Sequence, residues 1–243
     1  MGLFRYVPDR PKQFAKRVLG QEIHYRPNAF ANKQMHGDND GLWCLCPDEL
    51  SDKTVVYSFG IGTDISFDLS LIETYGVTVH AFDPTPKSIQ WLESQTMPDN
   101  FVPHPFGLAD HDGEVSFNPP INSQNVSHTM LERPETSSSA ITVPVFRLPS
   151  IMQQLGHKKI DVLKVDIEGA EYCFIDDLAR TLIRPNQILI EFHHRFPGIG
   201  IPKTKRAIQT LKNIGYDLYH VSVEQSEFCF KRKANTSQLR IAA

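Results

Sequence analysis

The sequence predicts an α/β fold: a three-layer, doubly wound, mostly parallel sheet that ends in an antiparallel C-terminal edge hairpin. Three observations predict it. Short apolar, β-branched runs alternate with stretches of helical period between residues 54 and 192. The first run ends in Gly60-Ile61-Gly62, a turn that opens a helix. Two last runs, 216–221 and 227–231, are close enough to pair as a hairpin.

Residues 1–50 are rich in Pro, Asn, His and basic side chains without a sustained period, and read as an irregular arm packed on a domain spanning 51–243. Residues 54–59 (TVVYSF) form the first strand, followed by a helix with Ile65, Leu69 and Ile72 at helical spacing. Residues 77–82 make a second strand closed by Asp83-Pro84, and 86–95 a helix with Pro in its first turn. Residues 101–106 suit a third strand. Residues 114–118 and 141–146 suit neighbouring arms of a hairpin despite Pro144, separated by a Ser/Thr/Asn/Pro-rich loop over 122–140. Strands at 160–165 and 187–192 follow, with a helix through Glu171, Phe174 and Leu178 between them. Residues 203–214 form an amphipathic helix with Ile208, Leu211 and Ile214 inward.

Composition narrows the function. The 243 residues carry 25 Lys plus Arg against 28 Asp plus Glu, a net charge of -3, so no overall positive field holds a nucleic-acid backbone. No apolar run is long enough for a signal-peptide core or a membrane span, and the four scattered cysteines form no disulfide framework; the chain reads as cytoplasmic. Cys44-x-Cys46 lacks the gap of a zinc knuckle and reads as structural.

Ligands of such sheets sit beyond the carboxyl ends of the strands. Gly60 and Gly62 let the backbone approach a ligand there, although Ile65 stands where a dinucleotide fingerprint has its third glycine. Asp83 lies 21 residues beyond Gly62, an offset suited to the vicinal hydroxyls of an adenosine ribose, and equally suits an Asx turn before Pro84. Asp166, Glu168 and Glu171 crowd three carboxylates at one strand end, which calls for a compensating ligand, cation or helix N-terminus. Glu191-Phe192-His193-His194 offers a general base, or partners for Asp166 or Glu168 around a divalent ion. Strand alternation allows at most one of the two histidines to face the site. Lys164, inside a strand, suits an ion pair with Glu191 or a catalytic role.

Four blocks, YSFGIGTDIS, VHAFDPTP, DVLKVDIEGAE and ILIEFHH, resemble in order and spacing the FkbM-type S-adenosylmethionine-dependent methyltransferases, over about residues 54–231. The resemblance implies a class I methyltransferase sheet of seven strands. It implies S-adenosylmethionine over Gly60 and Gly62 with its ribose on Asp83, its adenine near 107–110, including Leu108 and Asp110, and Asp166 near the transferred methyl, with Glu168 and Glu191 nearby as substrate or metal candidates. No metal is firmly predicted. Ser58 stands where the family has an acid two positions before the first glycine, and Asp64 where it has a later glycine, so the acid for the cofactor's ammonium is expected at Asp64. Arg147-Leu148-Pro149 replaces a Thr-Leu-Asp element.

The function so implied is O-methylation of a sugar or natural-product hydroxyl, a small-molecule acceptor, with His193, His194 or, failing them, Asp166 as base. No nucleic-acid or membrane partner is expected; an edge strand and the arm permit a homodimer. A glycine turn followed by an acid about 20 residues later also serves a nicotinamide-dependent oxidoreductase. The altered first motif leaves room for a catalytically silent binding module.

Overall fold

The computed structural model describes residues 22–38, 41–118 and 140–233. Most of the 122–140 loop and the first 21 residues of the arm lie outside them.

The described part of the arm is irregular over 22–33 and then forms a small hairpin. β1 (Gln34–His36) and β2 (Trp43–Leu45) pair antiparallel, and Trp43, Cys44, Leu45 and Cys46 are buried in the domain's second apolar cluster. Three-residue strands leave too little alternation to read in a sequence. Cys44 and Cys46 are free and buried.

The central elements follow the expected order: β3 (Val55–Phe59), α1 (Ser66–Tyr75), β4 (Thr78–Phe82), α2 (Pro86–Glu93) and β5 (Phe101–His104). A small three-stranded sheet comes next, built from β6 (Gly107–Leu108), β7 (Gly113–Phe117) and β8 (Ile141–Phe146), with β7 and β8 antiparallel as their alternation predicts. Helix α2 of the outer layer is then followed by α3 (Leu148–Leu155), which has no counterpart in the sequence reading. Leu148, Ile151 and Met152 bury its inner face, and Pro149 is tolerated because it sits in the first turn. The chain closes with β9 (Val162–Val165), α4 (Glu171–Arg180), β10 (Gln187–Glu191), α5 (Gly200–Asn213), β11 (Tyr216–Val221) and β12 (Glu227–Arg232).

The main sheet has seven strands in the order β11-β12-β10-β9-β3-β4-β5. β12 inserts antiparallel between β10 and β11, so the antiparallel member lies one strand in from the edge. One face, with Phe59, Phe82, Val165 and Ile190, packs on α3, α4 and α5; the other, with Val56, Val79, Val162 and Leu189, packs on α1 and the β1–β2 hairpin. Burying roughly 1.5–3 kcal/mol per large apolar side chain, these two faces hold the strand ends in fixed register.

Helix α1 differs from its expected face. It buries Phe67, Asp68 and Leu71, whereas Leu69 is 36% exposed. An apolar stripe drawn through 65, 69 and 72 excludes a carboxylate by construction, and here a carboxylate is on the inward face.

Away from the strand ends, His80 on β4 bonds His104 (Nδ1 to Nε2, 3.0 Å), and Tyr57 bonds His157 (2.8 Å). Burial, and then the neighbouring His157 and His104, push the His80 imidazole down to about 4. The unfolded chain takes up this proton near pH 6.5, so stability is complete above that pH and falls as pH drops toward 4. Partial solvation limits the loss at His80 to on the order of 1 kcal/mol. Denaturant titrations at stepped pH should show this acid limb, flattened in His80→Phe.

Candidate active site

A cavity of about 280 Å³ opens over the carboxyl ends of β3, β4 and β9. Its floor is the turn after β3. Gly60 has φ 74° and Gly62 φ 53°, left-handed conformations that glycine adopts without steric cost. A Cβ on Gly60 would lie 1.6 Å from the Asp166 carbonyl oxygen, so the turn and the end of β9 close on each other only with glycine here. Gly60 N–H donates to Phe82 O (2.9 Å) and Asp166 N–H to Phe59 O (3.1 Å), locking the three strand ends together.

Asp83 makes the Asx turn read from its position and lines the cavity. Its Oδ2 accepts Gly62 N–H at 2.9 Å, and its Oδ1 accepts the Thr85 N–H at 2.9 Å and hydroxyl at 2.6 Å. The Asx turn orients the carboxylate in the cavity wall, and Oδ2, which accepts one bond, keeps a lone pair for a further donor, while Oδ1 is filled by Thr85. Leu108, Gly107 and Phe117 line the same end. Asp110 does not: it is exposed, bonded to His111 at 2.9 Å, and no part of the cavity wall. The chain leaves the wall after Leu108, so a carboxylate two residues on faces water.

Asp64 lines the cavity, and each of its oxygens accepts one backbone amide. Oδ2 accepts Gly41 N–H (3.1 Å) and Oδ1 accepts Ser66 N–H (2.9 Å), tying the hairpin segment to the start of α1. Gly41 and Trp43 consequently enter the wall, from a segment the sequence reading kept apart from the cofactor framework.

Beyond β9 the chain turns through Glu168 at φ 52° and Gly169 at φ 102° into α4. Glu171, fully buried, accepts Gly169 N–H (3.0 Å) and the Nδ1–H of His193 (2.8 Å) with one oxygen. The other His193 nitrogen lies 3.4 Å from Glu168 and 3.7 Å from Asp166. Burial disfavours charge on His193, but the Glu171 bond and the charges of Glu171, Asp166 and Glu168 outweigh it and hold the imidazole up to about 10. This favours the protonated imidazole at neutral pH. Burial raises the carboxyls of Asp166 and Glu191, with Lys164 and His193 opposing the shift at Asp166. Asp166, Glu191 and His193 each place a ligand atom within 4.8 Å of the others, a spacing compatible with one divalent ion.

His194 points the other way. It is 4% exposed and sits 3.8 Å from Glu22, outside the cavity wall, with burial and Arg195 lowering its pKa. Lys164 directs Nζ to the carbonyls of Gly60 (3.1 Å) and Phe59 (3.5 Å) and lies over Trp43, at 5.1 Å from the ring centroid, instead of pairing with Glu191.

Over residues 37–218 the chain matches the methyltransferase FkbM domain family. It belongs to that family. The seven-stranded, mostly parallel sheet with its inserted antiparallel strand is the class I methyltransferase architecture, and this FkbM domain places its cavity where that architecture places a ligand, beyond the strand ends. Curated relatives include the Homo sapiens protein named Probable methyltransferase-like protein 24, 29% identical over 65% of this chain and 40% of its own. Another is the Hexuronic acid methyltransferase AglP of Haloferax volcanii, 23% identical over 66% of this chain and 64% of its own. The chain thus spans about two fifths of the human relative. Among solved structures, a methyltransferase FkbM from Methylobacillus flagellatus is similar at 15% identity and a TM-score of 0.47, over 76% of this chain and 44% of that one. No helix among the described residues is long and apolar enough to cross a membrane.

Proposed function

We propose that this FkbM domain is an S-adenosylmethionine-dependent O-methyltransferase acting on a hydroxyl of a sugar or other small polyhydroxylated acceptor. The observation that carries the reading is a single cavity in which the Gly60–Gly62 turn and the oriented Asp83 meet Asp166 from the neighbouring strand. The residues fit the cofactor: the Gly60–Gly62 turn presents backbone to the cavity, and Asp83 Oδ2 retains acceptor capacity beside Gly62.

Asp83 would hold the ribose hydroxyls, Leu108 and Gly107 the adenine end, and Asp166 the reacting end. The cofactor supplies an electrophilic methyl group on a sulfonium. Asp166 would accept the proton of the acceptor hydroxyl as that hydroxyl takes up the methyl group. His193, held by Glu171 and already protonated, balances the surrounding carboxylates and orients Asp166. The name of the relative AglP, which specifies a hexuronic acid, supports a sugar-class acceptor.

A second reading rests on the Asp166–Glu191–His193 spacing. The Glu171 bond to the far nitrogen of His193 is the partner that a metal-bound histidine commonly has. These three residues would then hold a divalent ion that activates the hydroxyl.

S-adenosylhomocysteine should raise the melting temperature of the protein, and NADH should leave it unchanged. Asp83→Ala should weaken S-adenosylhomocysteine roughly 10- to 100-fold in calorimetry by removing charge-assisted bonds. No stabilisation by S-adenosylhomocysteine would overturn the reading.

A further inference from the structure

Gly41, Trp43, Asp64, Phe67, Asp68 and Lys164 form one neighbouring group in the cavity wall. This group contains the unexplained carboxylate of helix α1. Asp68 is 1% exposed, it lines the cavity, and its Oδ1 has no hydrogen-bond partner. Leaving a carboxylate oxygen so buried and unpaired costs free energy that no apolar contact returns. Beneath it lies Ser58, fully buried, whose hydroxyl faces the Asp68 carboxylate. Ser58 is paired in register with Lys164 across β3 and β9, so both stand on the sheet face that α1 covers.

The family resemblance expects an acid at position 58, where this chain has Ser; Asp64, the expected substitute, already accepts the Gly41 and Ser66 amides, whereas Asp68 keeps a buried oxygen with no partner. Asp68 lies over the small side chain that vacates the space. A carboxylate and an ammonium in one part of the cavity wall, with the Lys164 ammonium anchored by Gly60 O and resting on Trp43, are complementary to a zwitterion.

We propose that Asp68 and Lys164 form the subsite for the α-amino-acid end of the cofactor, Asp68 receiving the ammonium and Lys164 facing the carboxylate. The inference deepens the S-adenosylmethionine reading and rests on it. Burial holds the Asp68 carboxyl up to about 6 against the pull of Lys164, consistent with an acid awaiting a cationic partner. Trp43, held in place by the β1–β2 hairpin, lines this part of the cavity and lends the subsite its desolvation, which strengthens both contacts.

The test is calorimetry with matched ligands. Wild-type protein should bind S-adenosylhomocysteine about 10- to 100-fold more tightly than the analogue whose ammonium is replaced by hydrogen. It should likewise prefer S-adenosylmethionine to its decarboxylated form. Asp68→Asn should bring S-adenosylhomocysteine and the desamino analogue to within about threefold of each other, by weakening only the former. Lys164→Gln should do the same for the carboxylate pair. Equal wild-type affinities within each pair would overturn the subsite even if the variants fail to fold, as would an Asp68→Asn variant that weakens both ligands alike. Failure of the wild type to bind S-adenosylhomocysteine at all overturns the underlying function instead, so the two failures are distinguishable.

Discussion

Asp166→Asn is expected to lower methyl-transfer turnover by about 10²- to 10⁴-fold, the range spanned by removal of a positioned proton acceptor. Cofactor affinity should change less than about threefold, because the amide keeps the shape of the carboxylate and the Asp166 N–H bond to Phe59 O is untouched. The placement of the group decides the size of this effect. Asp166 stands at the end of β9, backed by the Glu171–His193 pair, with one buried oxygen that has no hydrogen-bond partner. His193 is held up to about 10 and keeps its proton, so removal of the imidazole should cost less turnover than removal of the carboxylate. A His193→Gln variant that loses as much as Asp166→Asn would move the base to the imidazole. Magnesium or manganese added to chelator-treated wild type separates the two readings of the cluster. A saturable rise in melting temperature and turnover, lost in Asp166→Asn, supports a bound ion, and a flat response supports the carboxylate alone.

Gly60→Ala is expected to destabilise the protein by about 3 kcal/mol or more and to abolish S-adenosylhomocysteine binding in any folded fraction. Two effects add. The left-handed φ of 74° costs an alanine about 1 kcal/mol. The added methyl would also lie 1.6 Å from Asp166 O, a backbone atom that can retreat only by parting β3 from β9. For a chain of this size such a loss corresponds to a fall in melting temperature of about 6–12 °C. Gly156→Ala is the control. It shares a left-handed φ of 72° at the end of α3, but a Cβ there meets nothing within 4 Å, so only the conformational cost should appear. Similar losses at the two positions would remove the close-approach argument.

Much of this fold was legible because its signals are local. A β-branched run followed by a glycine turn specifies strand, bend and helix within a dozen residues, and Asp83 and Asp166 fall at strand ends by simple position. Short or masked signals were not legible. The β1–β2 hairpin has three-residue strands, and α3 begins in a Pro-containing segment whose apolar residues 148, 151, 152 and 155 were available as a helical stripe. Asp68 could have been noticed as an acid at helical spacing from Leu71, and its meaning depended on knowing that this face turns inward.

By itself the sequence determined the order of strands and helices, the family, the glycine turn and the strand-end positions of the candidate acids. These follow from backbone sterics and from the 2.0 and 3.6 periods, which relate residues within one element. The tertiary structure alone decided that His193 and not His194 joins Asp166, that Asp110 faces solvent, and that Gly41, Trp43 and Asp68 wall the cavity. Those facts depend on which elements meet across the strand ends, and that is set by long-range packing of the two apolar faces, to which local periodicity is blind.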